Sequence, residues 1–163
     1  MVVSVAIVSP LPHISHDIQR TLGQDDRLAT QVVPLEADIA IRRLARADVA
    51  VLHNDLPNET LMRLLRTLML LPGTTMPIIV GAPDDPDLLV HYLEHGVVGY
   101  VLAGEPQERL REVVTGVTEG KAYINPGIAT RLIDRYRSLR ERVRERDHAE
   151  NDGPGREGSA DPD

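Results

Sequence analysis

The sequence predicts an α/β domain built on a doubly wound parallel sheet of five strands, and three observations point to it. Short runs of branched aliphatic residues alternate five times with segments of helical period. The run Val49-Ala50-Val51-Leu52, opened by Asp48 and closed by His53-Asn54-Asp55-Leu56-Pro57, has the length and composition of a strand buried on both faces. The connections are short, so each crossover carries a helix across the sheet in the right-handed sense.

Taken in order, Val2 to Val8 reads as the first strand, and Ser9-Pro10-Leu11-Pro12 breaks it. A helix from about His13 to Leu22 places Ile14, Ile18 and Leu22 on one face. Gly23-Gln24-Asp25-Asp26 is a turn into a second strand, Leu28 to Val33. A second helix, Glu36 to Leu44, precedes the central strand Val49 to Leu52. Asn58 opens a leucine-rich helix to about Leu71, stopped by Pro72-Gly73. Met76 to Val80 is the fourth strand, and the loop Pro83 to Asp87 caps a helix to about His95, ended by Gly96. Val97 to Leu102 is the fifth strand and Pro106 to Thr118 the fifth helix. The pattern suits the flavodoxin-like order 2-1-3-4-5; periodicity alone also permits a different order.

Pro126 can take a first-turn position in a sixth, amphipathic helix reaching about Arg146. Its Ile128, Leu132, Tyr136, Leu139 and Val143 recur at spacings of four and three, and such a stripe needs a partner. Three segments are therefore expected: a domain over 1–125, a linker or dimerisation helix over 126–146, and a disordered acidic tail over 147–163.

Composition narrows the function classes. Of 163 residues, 42% are hydrophobic and only 2% aromatic, so the core is made of Leu, Ile, Val and Ala. Cysteine is absent, which excludes disulfides and thiolate chemistry and is compatible with the cytoplasm. No apolar run is long enough for a membrane span, and the N-terminus lacks the basic region of a signal peptide. The formal net charge is −7, concentrated in the tail, where six acids from Asp147 onward face the single base Arg156. The near-neutral body carries no global signal for nucleic acid.

In open parallel sheets, ligands and chemistry gather at the carboxyl ends of the strands, where His53, Asn54 and Asp55 lie. His53 can accept a phosphoryl group, ligate a metal or titrate near neutrality; the favoured reading is a polar plug that fills the pocket and hydrogen-bonds a neighbouring loop. Asp55 is read as ending the strand or capping the next helix. His13 and His16 share a helix face near the same edge and could meet His53 at a zinc ion, with a solvated face as the competing account. His91 and His95 form a similar pair, again read as solvated. Seven arginines between Arg131 and Arg146 give the sixth helix a local positive charge. No base-reading set accompanies them, so pairing of the helix with its twin is preferred over phosphate binding.

Three stretches carry a resemblance. Asp48 to Pro57 resembles the phosphorylation strand of a bacterial response-regulator receiver domain of the NarL/FixJ/LuxR type, and Gly96-Val97-Val98-Gly99-Tyr100-Val101-Leu102 is similar to its fifth strand. The run Gly120-Lys121-Ala122-Tyr123-Ile124-Asn125-Pro126 is similar to the exit segment of that subfamily. The resemblance implies the receiver fold, a role in signal transduction and transcriptional control, and Tyr100 as the switch aromatic. It also implies that the chemistry is lost. Ser9 and Pro10 stand where receivers hold an acidic pair for Mg²⁺, His53 where they hold the phosphorylated aspartate, Gly81 at the hydroxyl position and Ala103 at the lysine. Mg²⁺ needs hard oxygen ligands and phosphoryl transfer needs that metal, so an atypical, phosphorylation-independent pseudo-receiver is expected.

No catalytic residue, metal or cofactor is implied. The expected partners are a second copy of the chain and another protein; nucleic acid would be reached only through a DNA-binding domain, for which the stretch after Asp147 is too short. The competing reading is a sensor that binds a metabolite in a pocket lined by Ser9, His53, Gly81 and Ala103. A hydrolase or transferase finds no support, because no nucleophile, base and oxyanion set is visible.

Overall fold

The aliphatic runs become strands because each must bury both faces at once. In the computed structural model, which describes residues 1–121 and 123–151, Val3–Val8 forms β1, Leu28–Val32 β2, Val49–His53 β3, Met76–Ala82 β4 and Gly99–Leu102 β5. All pair in parallel in the order β2-β1-β3-β4-β5. The helices between them are α1 (Pro12–Leu22), α2 (Ala37–Leu44), α3 (Asn58–Leu70), α4 (Pro86–Glu94) and α5 (Gln107–Thr118), followed by α6 (Pro126–Asn151).

One layer of the core joins Val5, Ile7, Val49, Val51 and Ile78 of the sheet to Ile18 and Leu22 of α1 and to Val113, Val114 and Val117 of α5. Successive strand residues point to opposite faces, so Ala6, Val8, Ala50, Leu52 and Ile79 face the other layer, where Leu44, Leu61, Leu65 and Leu89 are buried. Each such valine, leucine or isoleucine side chain contributes about 1.5–3 kcal/mol on burial. That is how the domain is held without a single Phe or Trp.

Several boundaries differ from the sequence reading, each for a local reason. β3 runs one residue further, because His53 still pairs with Val80. β4 extends two residues beyond Val80 through an irregularity that skips Gly81, whose φ of 73° lies in the left-handed region, before Ala82 pairs with Leu102. β5 begins at Gly99 and not Val97: the Val97 amide is used at the end of α4, donating to the Tyr92 carbonyl. The predicted cap of α4 is Asp85, whose Oδ1 accepts from the Asp87 and Leu88 amides at 3.1 and 3.4 Å.

The chain divides into two units, Met1–Asn125 and a second that starts at Pro126. Within the second, α6 continues past Arg146 to Asn151, so the first residues of the expected tail are helical. Asp147, His148, Ala149 and Glu150 carry no helix breaker, and Gly153-Pro154 lies beyond them. The expected disorder over 152–163 lies outside the described residues. Tyr136, Leu139 and Val143 of the apolar stripe are exposed, together with Ile133, whereas Leu132 is half-buried and Ile128 buried.

Candidate functional site

The carboxyl end of β3 is occupied by the His53 ring, only 11% exposed. Its Nδ1 accepts the backbone N–H of Asp55 at 3.1 Å. A ring nitrogen that accepts carries a lone pair, so the neutral ring holds its proton on Nε2. Burial pushes the His53 pKa below the usual histidine range, and the Asp55 carboxylate opposes this more weakly. The two arguments agree. The 3.7 Å approach of Asp55 Oδ2 to Nδ1 is therefore a contact with an unprotonated nitrogen, not an ion pair.

The other edge of the ring rests on Gly81. A Cβ there would lie 2.7 Å from Nε2 and 3.0 Å from Cε1 of His53. Glycine is thus required twice, for the positive φ and for the space. The His53 ring thus occupies the space into which a side chain at position 81 would project, and its bond is to the Asp55 amide two residues on in its own turn, not to a neighbouring loop.

The remaining sequence-predicted positions fall out as follows. The Ser9 hydroxyl closes its own turn, accepting from the Leu11 amide and donating to the Leu11 carbonyl at 3.2 Å. Pro10 has no donor. Ala103 is exposed, with its amide donated to Ala82 at 2.8 Å. Asp55 does not cap α3, whose cap position is Pro57 and receives no side-chain bond. The group a receiver would bind here is Mg²⁺, and these residues do not fit it: Ser9, Pro10, His53 and Ala103 supply no carboxylate, and among the described residues Asp55 joins no group of three His, Cys, Asp or Glu side chains that could hold a metal.

Tyr100 is buried, and its hydroxyl accepts the Asn125 amide at 3.1 Å, tying β5 to the segment that leaves the domain. Tyr123 bridges to Gly99 beside it. Its ring lies against Gly116 of α5, where any Cβ would collide with it, and the Arg109 guanidinium sits 5.2 Å from its centre. Sequence reasoning missed a second link. Tyr92 of α4 is buried and donates its hydroxyl to Asn54 Oδ1 at 2.6 Å, joining α4 to the residue next to His53. Burial raises its pKa. The available signal was a tyrosine on the apolar face of α4, since a buried phenol needs a partner.

The zinc reading is not supported. His13 and His16 are exposed, and among the described residues no three His, Cys, Asp or Glu side chains converge in a way that could hold a metal. His95 is not a solvated member of a pair: it is half-buried, its ring lies 4.4 Å from that of His91, and its Nδ1 is 2.8 Å from the His91 carbonyl oxygen.

Beside His53, between α1, α5 and the loop after β5, a cavity of about 380 Å³ opens. His53, Gly81 and Ala103 line it, and Ser9 does not, so the metabolite pocket of the sequence reading loses one member and gains walls from α1 and α5. At its floor, Thr21 donates to Gln107 Oε1 at 3.0 Å and joins the two helices.

This geometry defines a doubly wound α/β domain whose strand-end site is closed by an imidazole and flanked by an open cavity. Comparison with known proteins narrows the class. No family model matches the chain. The oxygen regulatory protein NreC of Staphylococcus carnosus is 36% identical over 62 residues, 38% of this chain and 29% of that protein. The transcriptional regulatory protein DegU of Brevibacillus brevis is 29% identical over 92 residues, 56% of this chain and 39% of that protein. The chain therefore spans well under half the length of these relatives. Among solved structures, a two-component response regulator of the LuxR family from Aurantimonas sp. superposes with a TM-score of 0.70 at 18% identity, covering 83% of this chain and 99% of that one. The isolated receiver domain of RcsB from Salmonella enterica serovar Typhimurium gives 0.69 at 17%, covering 81% and 98%. Part of the sequence is thus similar to regulators of the NreC and DegU kind, and the fold is that of the receiver structures on which it superposes.

Proposed function

We propose that the chain is a non-enzymatic, phosphorylation-independent receiver that acts in transcriptional control through self-association and contacts with a partner protein. One observation carries the reading: the phosphoacceptor position is taken by a neutral, nine-tenths buried imidazole packed on Gly81, and among the described residues no three His, Cys, Asp or Glu side chains are grouped to hold a metal. Without the metal and a counter-cation, phosphoryl transfer to an aspartate has no means of neutralising its developing charge. The link from Tyr100 to Asn125 then holds one arrangement, since Gly81 presents no hydroxyl to draw the phenol elsewhere.

The exposed stripe of α6 is read as the self-association surface, because an apolar seam at heptad spacing gains most by meeting another helix. No helix is long and apolar enough to cross a membrane among the described residues, in keeping with the cytoplasmic residence expected of such a regulator. DNA contact belongs, on this reading, to a separate domain, as the relatives named as transcriptional regulators suggest.

Incubation with acetyl phosphate, or with beryllofluoride and Mg²⁺, is expected to leave mass and melting temperature unchanged; a stable adduct at Asp55 or His53 overturns phosphorylation independence. Light scattering is expected to find a dimer that becomes a monomer when the chain ends at Asn125. Two monomers at micromolar concentration remove the role given to α6. A second reading, a ligand sensor, is favoured by one feature, the cavity beside His53.

A further inference from the structure

The cavity between α1, α5 and the loop after β5 is lined by two contrasting kinds of side chain. Ile14, Ile18 and Leu110 supply aliphatic surface, and Asp17, Asp55 and Glu105 supply carboxylates. Among the described residues, no lysine or arginine side chain lines it. We propose that this cavity binds a small organic cation with an aliphatic body, an amine, whose ammonium meets the carboxylates while its hydrocarbon part lies against α1 and α5. This rests on the ligand-sensor reading and names the chemical class of its ligand.

The alternatives fail on charge and geometry. An anion such as phosphate meets three carboxylates and no lining cation, the reverse of what a receiver pocket presents to it. A bare metal ion needs several ligands converging within coordination distance, and the described residues hold no such group. A neutral hydrocarbon uses the aliphatic lining and makes no use of the carboxylates. At about 380 Å³ the cavity is at the lower end of the range for small-molecule sites, so the ligand is small.

The acids already have partners. Asp17 lies 3.6 Å from Arg20 on an exposed helix face, and Glu105 Oε2 lies 3.4 Å from Arg109 Nε. The Asp17 pair is exposed and worth little, so an arriving ammonium competes with it at small cost; Glu105 is half-buried, and its Oε1 also accepts the Leu102 amide at 3.4 Å. His53 adds the Nε2 end of a neutral ring and no competing positive charge.

The experiment uses the full chain and three probes, cyclohexylamine, its neutral isostere cyclohexanol and inorganic phosphate, read by calorimetry and by amide shifts in NMR spectra. Saturable binding of cyclohexylamine is expected, weakened about fivefold by each of Asp17→Asn and Glu105→Gln. Ala103→Trp, at an exposed position on the cavity wall, is expected to abolish it without unfolding the domain. Equal binding of cyclohexanol, or binding of phosphate, that is lost in Ala103→Trp overturns the cation assignment and leaves the sensor reading standing. Amine binding indifferent to all three substitutions places the ligand elsewhere and overturns the site. If no probe binds at millimolar concentration, the inference and the sensor reading fall together.

Discussion

Replacing Gly81 by alanine tests whether the His53 ring closes the strand-end site. Two costs are superimposed. A non-glycine residue at a φ of 73° pays for the left-handed region, about 1–2 kcal/mol. The added Cβ also meets His53 Nε2 at 2.7 Å and Cε1 at 3.0 Å, and the ring is held from behind by the Asp55 amide, so it cannot retreat freely. Overpacking of this sort costs about 1–3 kcal/mol. Gly81→Ala in the wild-type background should thus lose about 2–5 kcal/mol, a large part of a typical domain's stability. In a His53→Ala background the ring is gone and only the backbone cost remains. A double-mutant cycle followed by urea denaturation should give a coupling of about 1–3 kcal/mol between the two positions. If Gly81→Ala costs the same in both backgrounds to within about 0.5 kcal/mol, the ring does not lie on Gly81 and the plugged-pocket reasoning is refuted.

Three further outcomes follow from the same structure. The His53 pKa is depressed in the folded state, so the stability owed to its neutral form is complete above its unfolded value of about 6.5 and is lost as pH falls through the folded value. Urea midpoints of wild type should therefore drop more between neutrality and mild acid than those of His53→Gln, and parallel curves would remove the assignment. Gly116→Ala gains about 1 kcal/mol of helix propensity but displaces the Tyr123 ring and its cation–π contact with Arg109, for a net loss on the order of 1–2 kcal/mol; in a Tyr123→Ala background the same substitution should become stabilising, and a loss there too would mean the ring is not the obstacle. Tyr92→Phe removes the bond to Asn54 Oδ1 and should cost about 1 kcal/mol by thermal melting, with none expected if Asn54 is already replaced by alanine.

The periodic part of the fold was legible in the chain because burial on both faces leaves a run of aliphatic residues, and a one-sided helix leaves a four-residue spacing. Val49 to Leu52 and the Ile14, Ile18, Leu22 face are of this kind. Boundaries were less legible where a single backbone bond decided them. His53 stays in its strand through its pairing with Val80, and Val97 is withdrawn from the next strand by a bond to Tyr92. The end of α6 was set too early because the charged residues after Arg146 read as tail, although nothing among them interrupts a helix before Asn151.

In the site, identity and arrangement separate. That Ser9, Pro10, His53, Gly81 and Ala103 bring neither a carboxylate nor a lysine could be read directly, since that is residue identity at strand ends the periodicity located. Which of those residues share a space could not. Ser9 turns onto Leu11, Asp55 gives its amide and not a cap, and the walls of the cavity come from α1 and α5, far away in the chain. By itself the sequence determined the layers, because they depend on residue type repeated along one direction. Only the tertiary structure decided that His53 rests neutral on Gly81, that Tyr92 reaches Asn54, and that a cavity lined in part by carboxylates opens beside them. Those features arise from side chains brought together across a sheet, and nothing in their spacing along the chain records the meeting.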